Sequence, residues 1–494
     1  MSATPKRPTI ARNVMWNLVG YLTPMAVALV AVPVLLEYLG AQRLGILLMA
    51  WAVLGYMMLC NLGLNRSLTK ALAEGVTADL PAKLATCRLA LLLLGVGSGL
   101  LLAAAAYPIA HGWLKLPIEL RGETEWLFYM LALSLPVLML TKHHRGILEG
   151  LGRFDLANRV QLCTSTMNYL GPVLMLPFSR SLACMGAIIL ANRVLGWWVL
   201  SLFSRHQLPA LAEPARASWS EFKQLLGPGI WMALSALVLP LLAVLDRLFI
   251  GRWCSAEAIA YYATPYEMVT KLWLVSQSML LVMFPYFASA HARQPQDLPQ
   301  LYGRTQRVLL AVMFPCVCVF LLLADELLLL WVGAEFAAEG AGVMRCLAVG
   351  MLFQSLSATS LTFLQSTGHA RFPAQVSLLT VLAYLPCAML AAYFQGIVGI
   401  ALVWSLRHAV ESLLFFRSIL SQFPDTRHAL GLRYLRNWLL PTGCCAYCWF
   451  LGWWSASTGE ILIGGGVLWL GLVCWLYNVW LKPDDRLWLV GKFS

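Results

Sequence analysis

The stretch Leu89–Ala110 reads LALLLLGVGSGLLLAAAAYPIA and contains no charged residue. A helix needs about 20 mainly apolar residues to cross the hydrocarbon core of a bilayer, so this run is long enough to span it. Similar runs recur along the 494 residues, of which 60% are hydrophobic and only 12% charged. Because soluble domains carry about 25% charged residues, the sequence predicts a polytopic membrane protein and excludes a large soluble catalytic domain.

Apolar runs bounded by charged residues predict fourteen transmembrane helices and an all-α fold. The predicted spans are 14–36, 44–64, 89–110, 125–141, 160–178, 182–203, 225–250, 259–284, 308–330, 346–366, 374–394, 397–416, 437–456 and 461–481. The fourth span is short, and the fifth carries the polar residues Gln161 and Asn168.

The basic residues alternate between the predicted loops. When the amino terminus is placed in the cytoplasm, the cytoplasmic segments carry most of the 35 Lys and Arg residues. The outer segments carry Arg43, Lys115, Arg121, Arg180 and Arg252. Because Lys and Arg accumulate in cytoplasmic loops, this pattern predicts that both termini are cytoplasmic. It also assigns the net charge of +12 to membrane orientation rather than to nucleic-acid binding.

Two short stretches in the two halves of the chain are similar. LEGLGRF at 148–154 follows the fourth predicted span, and LQSTGHARF at 364–372 follows the tenth. Six spans separate them, so the two copies have the same orientation in the membrane. This predicts two parallel six-helix lobes, 1–220 and 221–436, with an additional helix pair and a cytoplasmic tail over 437–494.

Several short motifs resemble those of a known transporter family. They are Leu39-Gly40, Asn61-Leu62-Gly63-Leu64, the stretch 148–154, Asp246–Gly251, Ile259–Tyr266 and Leu330–Ala337. Together they resemble the polysaccharide transporter family, which comprises the O-antigen and exopolysaccharide flippases of the multidrug/oligosaccharidyl-lipid/polysaccharide exporter superfamily. The resemblance covers nearly the whole chain.

This resemblance implies a V-shaped pair of lobes that opens a central cavity alternately to the two sides of the bacterial inner membrane. The implied cargo is an oligosaccharide linked to undecaprenyl diphosphate, which is moved to the periplasm for surface polysaccharide assembly. Membrane lipid, a polysaccharide polymerase and a chain-length regulator are the implied partners. Asn61 replaces the acidic residue that is common in the family, which weakens the inference of a coupling ion at this position.

Two other functions remain open. A cation-coupled multidrug exporter belongs to the same superfamily, although carboxylates in its first lobe usually serve cation coupling and spans one to six of this chain contain almost none. A polytopic polysaccharide polymerase or ligase is expected to carry a large periplasmic loop, and the outer segments here are short. The sequence contains no glycine-rich phosphate loop, metal-ligand spacing or nucleophile motif, so it predicts no enzymatic activity, no cofactor and no metal.

Charged residues inside the predicted spans are the candidate site residues. A charge at the centre of a spanning helix costs about 2.5–3.5 kcal/mol on insertion scales, so such groups face a cavity or a partner. The candidate members of a cationic cavity are Arg193, Arg247, Lys271 and Arg407. The candidate pairing or coupling carboxylates are Asp246, Glu267 and Glu411. Guanidinium groups bind phosphate oxygens through paired hydrogen bonds, which suits the diphosphate of the implied cargo.

A structural role is the alternative for some of these residues. Glu267 precedes Lys271 by four positions, and Arg407 precedes Glu411 by four. Side chains at this spacing lie on one face of a helix and form ion pairs. Arg193 has no carboxylate on its own predicted span, so it needs a partner from elsewhere, a bound anion or water.

Overall fold

The structure is a computed structural model that describes residues 10–57, 64–65, 68–69, 72, 79–208, 216–226, 242, 244–369, 371–426, 443–450 and 469–481. All regular elements within these residues are helical, with no strand among them. The predicted all-α fold is therefore confirmed. Asn61 and parts of the second, seventh, thirteenth and fourteenth predicted spans lie outside the described residues.

Contacts divide the chain into two compact units, Met1–Ala260 and Tyr261–Ser494. Among the described residues of the first unit, the main helices are α1 (Ile10–Met57), α2 (Leu80–Pro108), α3 (Ile118–Gly150), α4 (Phe154–Met175), α5 (Leu182–Gln207), α6 (Trp219–Leu226) and α7 (residues 244–253). A π-helical turn, Ile109–Trp113, extends α2. Helix α3 packs against α2 and α5, and α4 packs against α1 and α5.

The second unit begins within α8 (Ala256–Thr270). Its further helices are α9 (Trp273–Arg293), α10 (Leu298–Leu322), α11 (Ala324–Val332), α12 (Ala334–Ser366), α13 (Arg371–Gln422), α14 (residues 443–450) and α15 (residues 469–475). Helix α12 packs against α9, α10, α11 and α13. A core of buried apolar residues, including Phe287, Phe363 and Phe415, joins α9, α12 and α13.

The boundary between the two units differs from the predicted boundary between the lobes. The sequence repeat places the lobe boundary at 220/221, whereas the contacts place α7 with the first unit. The indole nitrogen of Trp113 donates to the carbonyl of Leu248 at 3.1 Å, and Lys115 Nζ donates to the carbonyl of Trp253 at 2.8 Å. Contacts define compact units, whereas the lobe boundary was predicted from the sequence repeat. The contacts therefore do not test that boundary, which stays a prediction.

Eight helices within the described residues are long and apolar enough to cross a membrane. Two of these continuous elements contain the breaks that the sequence predicts between neighbouring spans. Gly40 in α1 has φ of 76°, and Gly396 in α13 has φ of 63°. Glycine adopts this left-handed conformation without steric cost. The predicted divisions between spans one and two, and between spans eleven and twelve, are therefore confirmed.

The fourth predicted span, 125–141, is too short, because α3 extends over Ile118–Gly150. The additional turns carry charged side chains that have partners. Near the start, Glu123 accepts hydrogen bonds from Arg43 Nε at 3.1 Å and Arg43 Nη2 at 2.9 Å. Near the end, Arg145 Nε donates to Glu149 Oε1 at 2.5 Å. Charge marks the end of an apolar run in the sequence, but paired charges do not end the helix itself.

The predicted repeat is visible in the helix bounds. Helices α3 and α12 both have 33 residues and lie 216 residues apart, from 118 to 334 and from 150 to 366. Helix α5 has 26 residues, and the part of α13 after Gly396, residues 397–422, lies 215 residues beyond it. These two pairs of helices therefore match in length and are separated by nearly the same number of residues.

The two similar stretches end α3 and α12 with the same hydrogen-bonded turn. The backbone nitrogen of Arg153 donates to the carbonyl of Leu148 at 2.8 Å, and that of His369 donates to the carbonyl of Leu364 at 2.8 Å. The residue before each donor is a glycine with positive φ, which is 73° at Gly152 and 85° at Gly368. This is the Schellman arrangement of a helix C-terminus.

Candidate functional site

The candidate cations are distributed over both units. Arg193 on α5 and Arg247 on α7 belong to the first unit, while Lys271 and Arg407 belong to the second. A single cavity that contains all four cations remains a prediction.

Arg407 on α13 lies in a buried ion pair. Its Nη2 donates to Glu411 Oε1 at 2.8 Å, and only 4% of each side chain is exposed. The hydroxyl of Thr380 donates to the same oxygen at 2.7 Å, and His408 Nδ1 lies 3.3 Å from Glu411 Oε2. The guanidinium carbon lies 6.0 Å from the centre of the Tyr384 ring. The carboxylate of Glu411 therefore neutralises Arg407 locally.

Lys271 also forms the ion pair that its spacing permits. Its Nζ donates to Glu267 Oε2 at 2.9 Å. This pair differs from the Arg407 pair in its exposure, because 48% of the Lys271 side chain is accessible. Lys271 and Leu272 form the turn between α8 and α9, so the pair lies where the helix is interrupted.

Arg247 is among the most deeply buried large residues, with 2% of its surface exposed. Its Nη1 donates to the backbone carbonyl of Leu48 on α1 at 2.6 Å. The neighbouring Asp246 is completely buried. In this arrangement the guanidinium joins α7 to α1.

Arg193 differs from the other three candidates. Its Nε is buried and has no hydrogen-bond acceptor among the residues that the structure describes. The preceding residue, Asn192, uses its amide nitrogen to contact α4: it donates to the carbonyl of Thr164 at 2.9 Å and to Asn168 Oδ1 at 3.2 Å. The polar contacts of Asn192 hold α5 against α4, while the donor on Arg193 is left unsatisfied.

Sequence reasoning missed two neighbouring cations on α3, of which Lys142 lies within electrostatic range of Arg193. Lys142 on α3 is within electrostatic range of Arg193, Arg145 and Glu149. Arg145 is held by Glu149 and by Gln161 on α4, whose amide oxygen accepts from Arg145 Nη1 at 2.8 Å. The predicted fourth span ended at 141, so both residues were assigned to a cytoplasmic segment. Lys142, Arg145 and Glu149 are three and four positions apart, which places them on one face of a helix. This spacing is the feature of the sequence that could have identified them.

Arg345 on α12 is a further buried cation that the sequence analysis did not single out. Its guanidinium donates to the carbonyl of Leu321 at 3.2 Å and to the carboxylate of Asp325 on α11. The pair fastens α12 to α11 and to the end of α10. No group of three or more His, Cys, Asp or Glu side chains suited to a metal ion occurs in the described part of the chain.

Comparisons with known proteins agree with this architecture. Residues 38–339 match the family described as polysaccharide biosynthesis protein. A Shigella flexneri protein named "Putative O-antigen transporter" is 23% identical over 409 residues, which cover 82% of this chain and 96% of that protein.

Two solved structures have a similar fold. The lipid II flippase MurJ in an inward closed conformation has a TM-score of 0.71 at 11% identity, with 94% of this chain and 98% of MurJ covered. A multidrug resistance MATE family transporter of the MOP superfamily, in an inward-facing conformation, has a TM-score of 0.70 at 15% identity; 83% of this chain and 99% of that transporter are covered. These likenesses establish the transporter fold. Since the family match spans more than half of the residues, the chain belongs to the polysaccharide biosynthesis protein family.

Proposed function

We propose that this protein is a flippase that moves an undecaprenyl-diphosphate-linked oligosaccharide from the cytoplasmic to the periplasmic face of the bacterial inner membrane. Membership of the polysaccharide biosynthesis family and the similarity to the Shigella flexneri protein support this proposal. The fold shared with MurJ is compatible with transport of a lipid-linked cargo. The movement would occur by alternating access, without ATP hydrolysis by this chain.

The observation that carries the proposal is the family match over residues 38–339. The structural observation that agrees with a diphosphate cargo is the buried guanidinium nitrogen of Arg193, which has no acceptor among the described residues. A buried donor without an acceptor costs about 1–3 kcal/mol, and more when the group is charged. A phosphoryl oxygen supplies both an acceptor and a countercharge, so a diphosphate would offset this cost during its passage. Arg247, Lys271 and Arg407 are included in the proposed cationic cavity, with Asp246, Glu267 and Glu411 as the carboxylates that tune it.

The proposal also includes the orientation and the partners. Both termini lie in the cytoplasm, because the basic loop residues are concentrated on that side. A polysaccharide polymerase and a chain-length regulator would act on the delivered oligosaccharide in the periplasm. The flippase itself requires neither a catalytic residue nor a cofactor.

A gene deletion tests the function directly. We expect a strain without this protein to lose surface polysaccharide and to accumulate the lipid-linked oligosaccharide on the cytoplasmic side, and we expect a plasmid copy to restore delivery. Surface polysaccharide is measured by gel and antibody staining, and the lipid-linked intermediate by mass spectrometry. Normal delivery in a strain without a redundant transporter would refute the proposal. Altered susceptibility to cationic drugs with normal polysaccharide would indicate the multidrug exporter instead.

A further inference from the structure

We propose that Lys142 on α3 and Arg193 and Trp197 on α5 form a phosphoryl-binding subsite within the first unit, which binds the diphosphate of the cargo. This inference rests on the proposed function and specifies which part of the chain holds the anionic group. Lys142 and Trp197 are not among the cations or polar residues that the sequence analysis selected.

The first argument is the set of unsatisfied donors. Arg193 Nε and Trp197 Nε1 are both buried without a hydrogen-bond acceptor among the described residues. The two residues are four positions apart on α5, so their side chains lie on the same face of the helix. Arginine and the indole nitrogen of tryptophan only donate hydrogen bonds. This face of α5 therefore presents two N–H groups that have no acceptor among the described residues, and a phosphoryl oxygen would complement them.

The second argument is the local charge. Among the described residues, Lys142 lies within electrostatic range of two further cations, Arg145 and Arg193, and of one carboxylate, Glu149. That carboxylate is bound by Arg145 at 2.5 Å. Three cations with one carboxylate leave an excess of positive charge in a membrane-spanning region, where such charge is costly without a counterion.

The third argument is that α5 has an apolar face and a separate face that carries Arg193. One face of this helix, formed by Ala187, Leu190, Ala191, Val194, Leu195 and Trp198, lines an open groove of about 490 Å³ that is almost entirely apolar. This surface suits hydrocarbon. Arg193 is not part of the groove, and α5 packs against α3, which carries Lys142. The cationic side of α5 is therefore separate from its apolar surface.

The fourth argument is a comparison with the repeated helix in the second unit. When α5 is aligned with residues 397–422 by their shared length, Arg193 corresponds to His408 and Gly196 corresponds to Glu411. In α13, Glu411 neutralises the neighbouring Arg407. In α5, the corresponding position has no side chain, so no carboxylate is supplied there. The first unit is thus the half in which this helix presents an uncompensated cation.

Binding measurements with the purified full-length protein in phosphatidylcholine nanodiscs test the subsite. The probes are undecaprenyl diphosphate, undecaprenol, which lacks phosphate, and phosphatidylglycerol, which is an ordinary anionic lipid. We expect Arg193→Gln and Lys142→Gln each to weaken undecaprenyl diphosphate binding at least tenfold, which corresponds to about 1.4 kcal/mol. Trp197→Phe should weaken it less, because the uncharged N–H group alone is lost. Undecaprenol and phosphatidylglycerol binding should stay unchanged.

Arg43→Gln is the matched control. It removes one positive charge from the same unit, but Arg43 is held by Glu123 at 2.9 and 3.1 Å. We expect it to bind all three probes like the wild type. If Arg193→Gln is not monodisperse, Arg193→Lys and Lys142→Gln decide the matter, since the lysine variant keeps the charge and loses the planar donor arrangement.

The outcomes separate the subsite from the function. Undecaprenyl diphosphate binding within twofold of wild type in both glutamine variants would overturn the subsite alone, provided that wild-type protein binds the probe. An equal loss of phosphatidylglycerol binding would also overturn it, because the site would then accept any anionic lipid. Absence of binding by the wild type, together with normal polysaccharide in the deletion strain, would instead refute the proposed function.

Discussion

Glu411 on α13 and Gly196 on α5 hold equivalent positions, 215 residues apart, in the two matching helices. Glu411 Oε1 accepts a hydrogen bond from Thr380 at 2.7 Å. A Cβ atom on Gly196 would lie 2.6 Å from the methyl carbon of Thr164. The same helix position thus supplies a buried carboxylate in one unit and a close helix contact in the other.

The buried pair of Arg407 and Glu411 predicts a large effect of breaking it. We expect Glu411→Gln to destabilise the protein by about 3–5 kcal/mol, because it leaves a buried guanidinium without its countercharge. The double variant Arg407→Gln/Glu411→Gln should lose less stability than this single variant, since no unpaired charge remains. Thermal unfolding of the purified protein in detergent measures both changes.

Lys271→Gln is the control for that experiment, because the Glu267–Lys271 pair has the same spacing but is half exposed. Exposed pairs contribute about 0–1 kcal/mol, so we expect a small change. Equal destabilisation by Lys271→Gln and Glu411→Gln, or a double variant less stable than Glu411→Gln, would contradict the burial argument.

The contact of Gly196 with Thr164 predicts that a small side chain is not tolerated. We expect Gly196→Ala to destabilise the protein by about 1–3 kcal/mol, because the added methyl group has to displace its neighbour. Combining it with Thr164→Ser, which removes the opposing methyl group, should restore part of the loss. The thermal unfolding midpoint is the readout.

Gly97 on α2 provides a matched helical control, since a Cβ atom there meets nothing within 4 Å. Gly97→Ala should be neutral or stabilising, because alanine has the higher helix propensity by about 1 kcal/mol. If Gly196→Ala is as stable as Gly97→Ala, α4 and α5 do not pack closely against each other at Gly196.

The two matching helix ends predict equal sensitivity to loss of glycine. We expect Gly152→Ala and Gly368→Ala each to cost about 1–2 kcal/mol, because a Cβ atom is unfavourable in the left-handed conformation. Neither position is crowded, since a Cβ atom meets nothing within 4 Å at either glycine. The cost therefore reports backbone conformation rather than a clash, and unfolding in denaturant or heat measures it. Unchanged stability in both variants would argue against the shared turn.

Arg193 is expected to support transport without being needed for insertion. Arg193→Ala should reduce surface polysaccharide delivery at normal protein abundance, because the anionic cargo loses a buried donor. Arg193→Lys should retain part of the activity, since the charge remains while the paired donor geometry is lost. Delivery and abundance are measured in the same complemented deletion strain. Normal delivery by Arg193→Ala at normal abundance would remove Arg193 from the site.

Local sequence patterns were sufficient to predict much of the fold. The uncharged run at 89–110 forms part of α2, and the breaks at Gly40 and Gly396 fall between predicted spans. The length of an apolar run and the conformational freedom of a glycine depend on residues that are adjacent in the chain. Both can therefore be recognised from the sequence alone. The end of α3 was predicted too early, because charged residues continue the helix when partners satisfy them.

The sequence by itself determined that this protein lies in a bilayer, that its elements are helices, and that similar stretches follow the fourth and tenth predicted spans. Only the tertiary structure decided which cations are neutralised. The Arg407–Glu411 pair is completed by Thr380, 31 residues from Glu411, and the charge near Arg193 comes from Lys142 on another helix. Electrostatic interactions depend on distance in space rather than along the chain, and helix packing sets those distances.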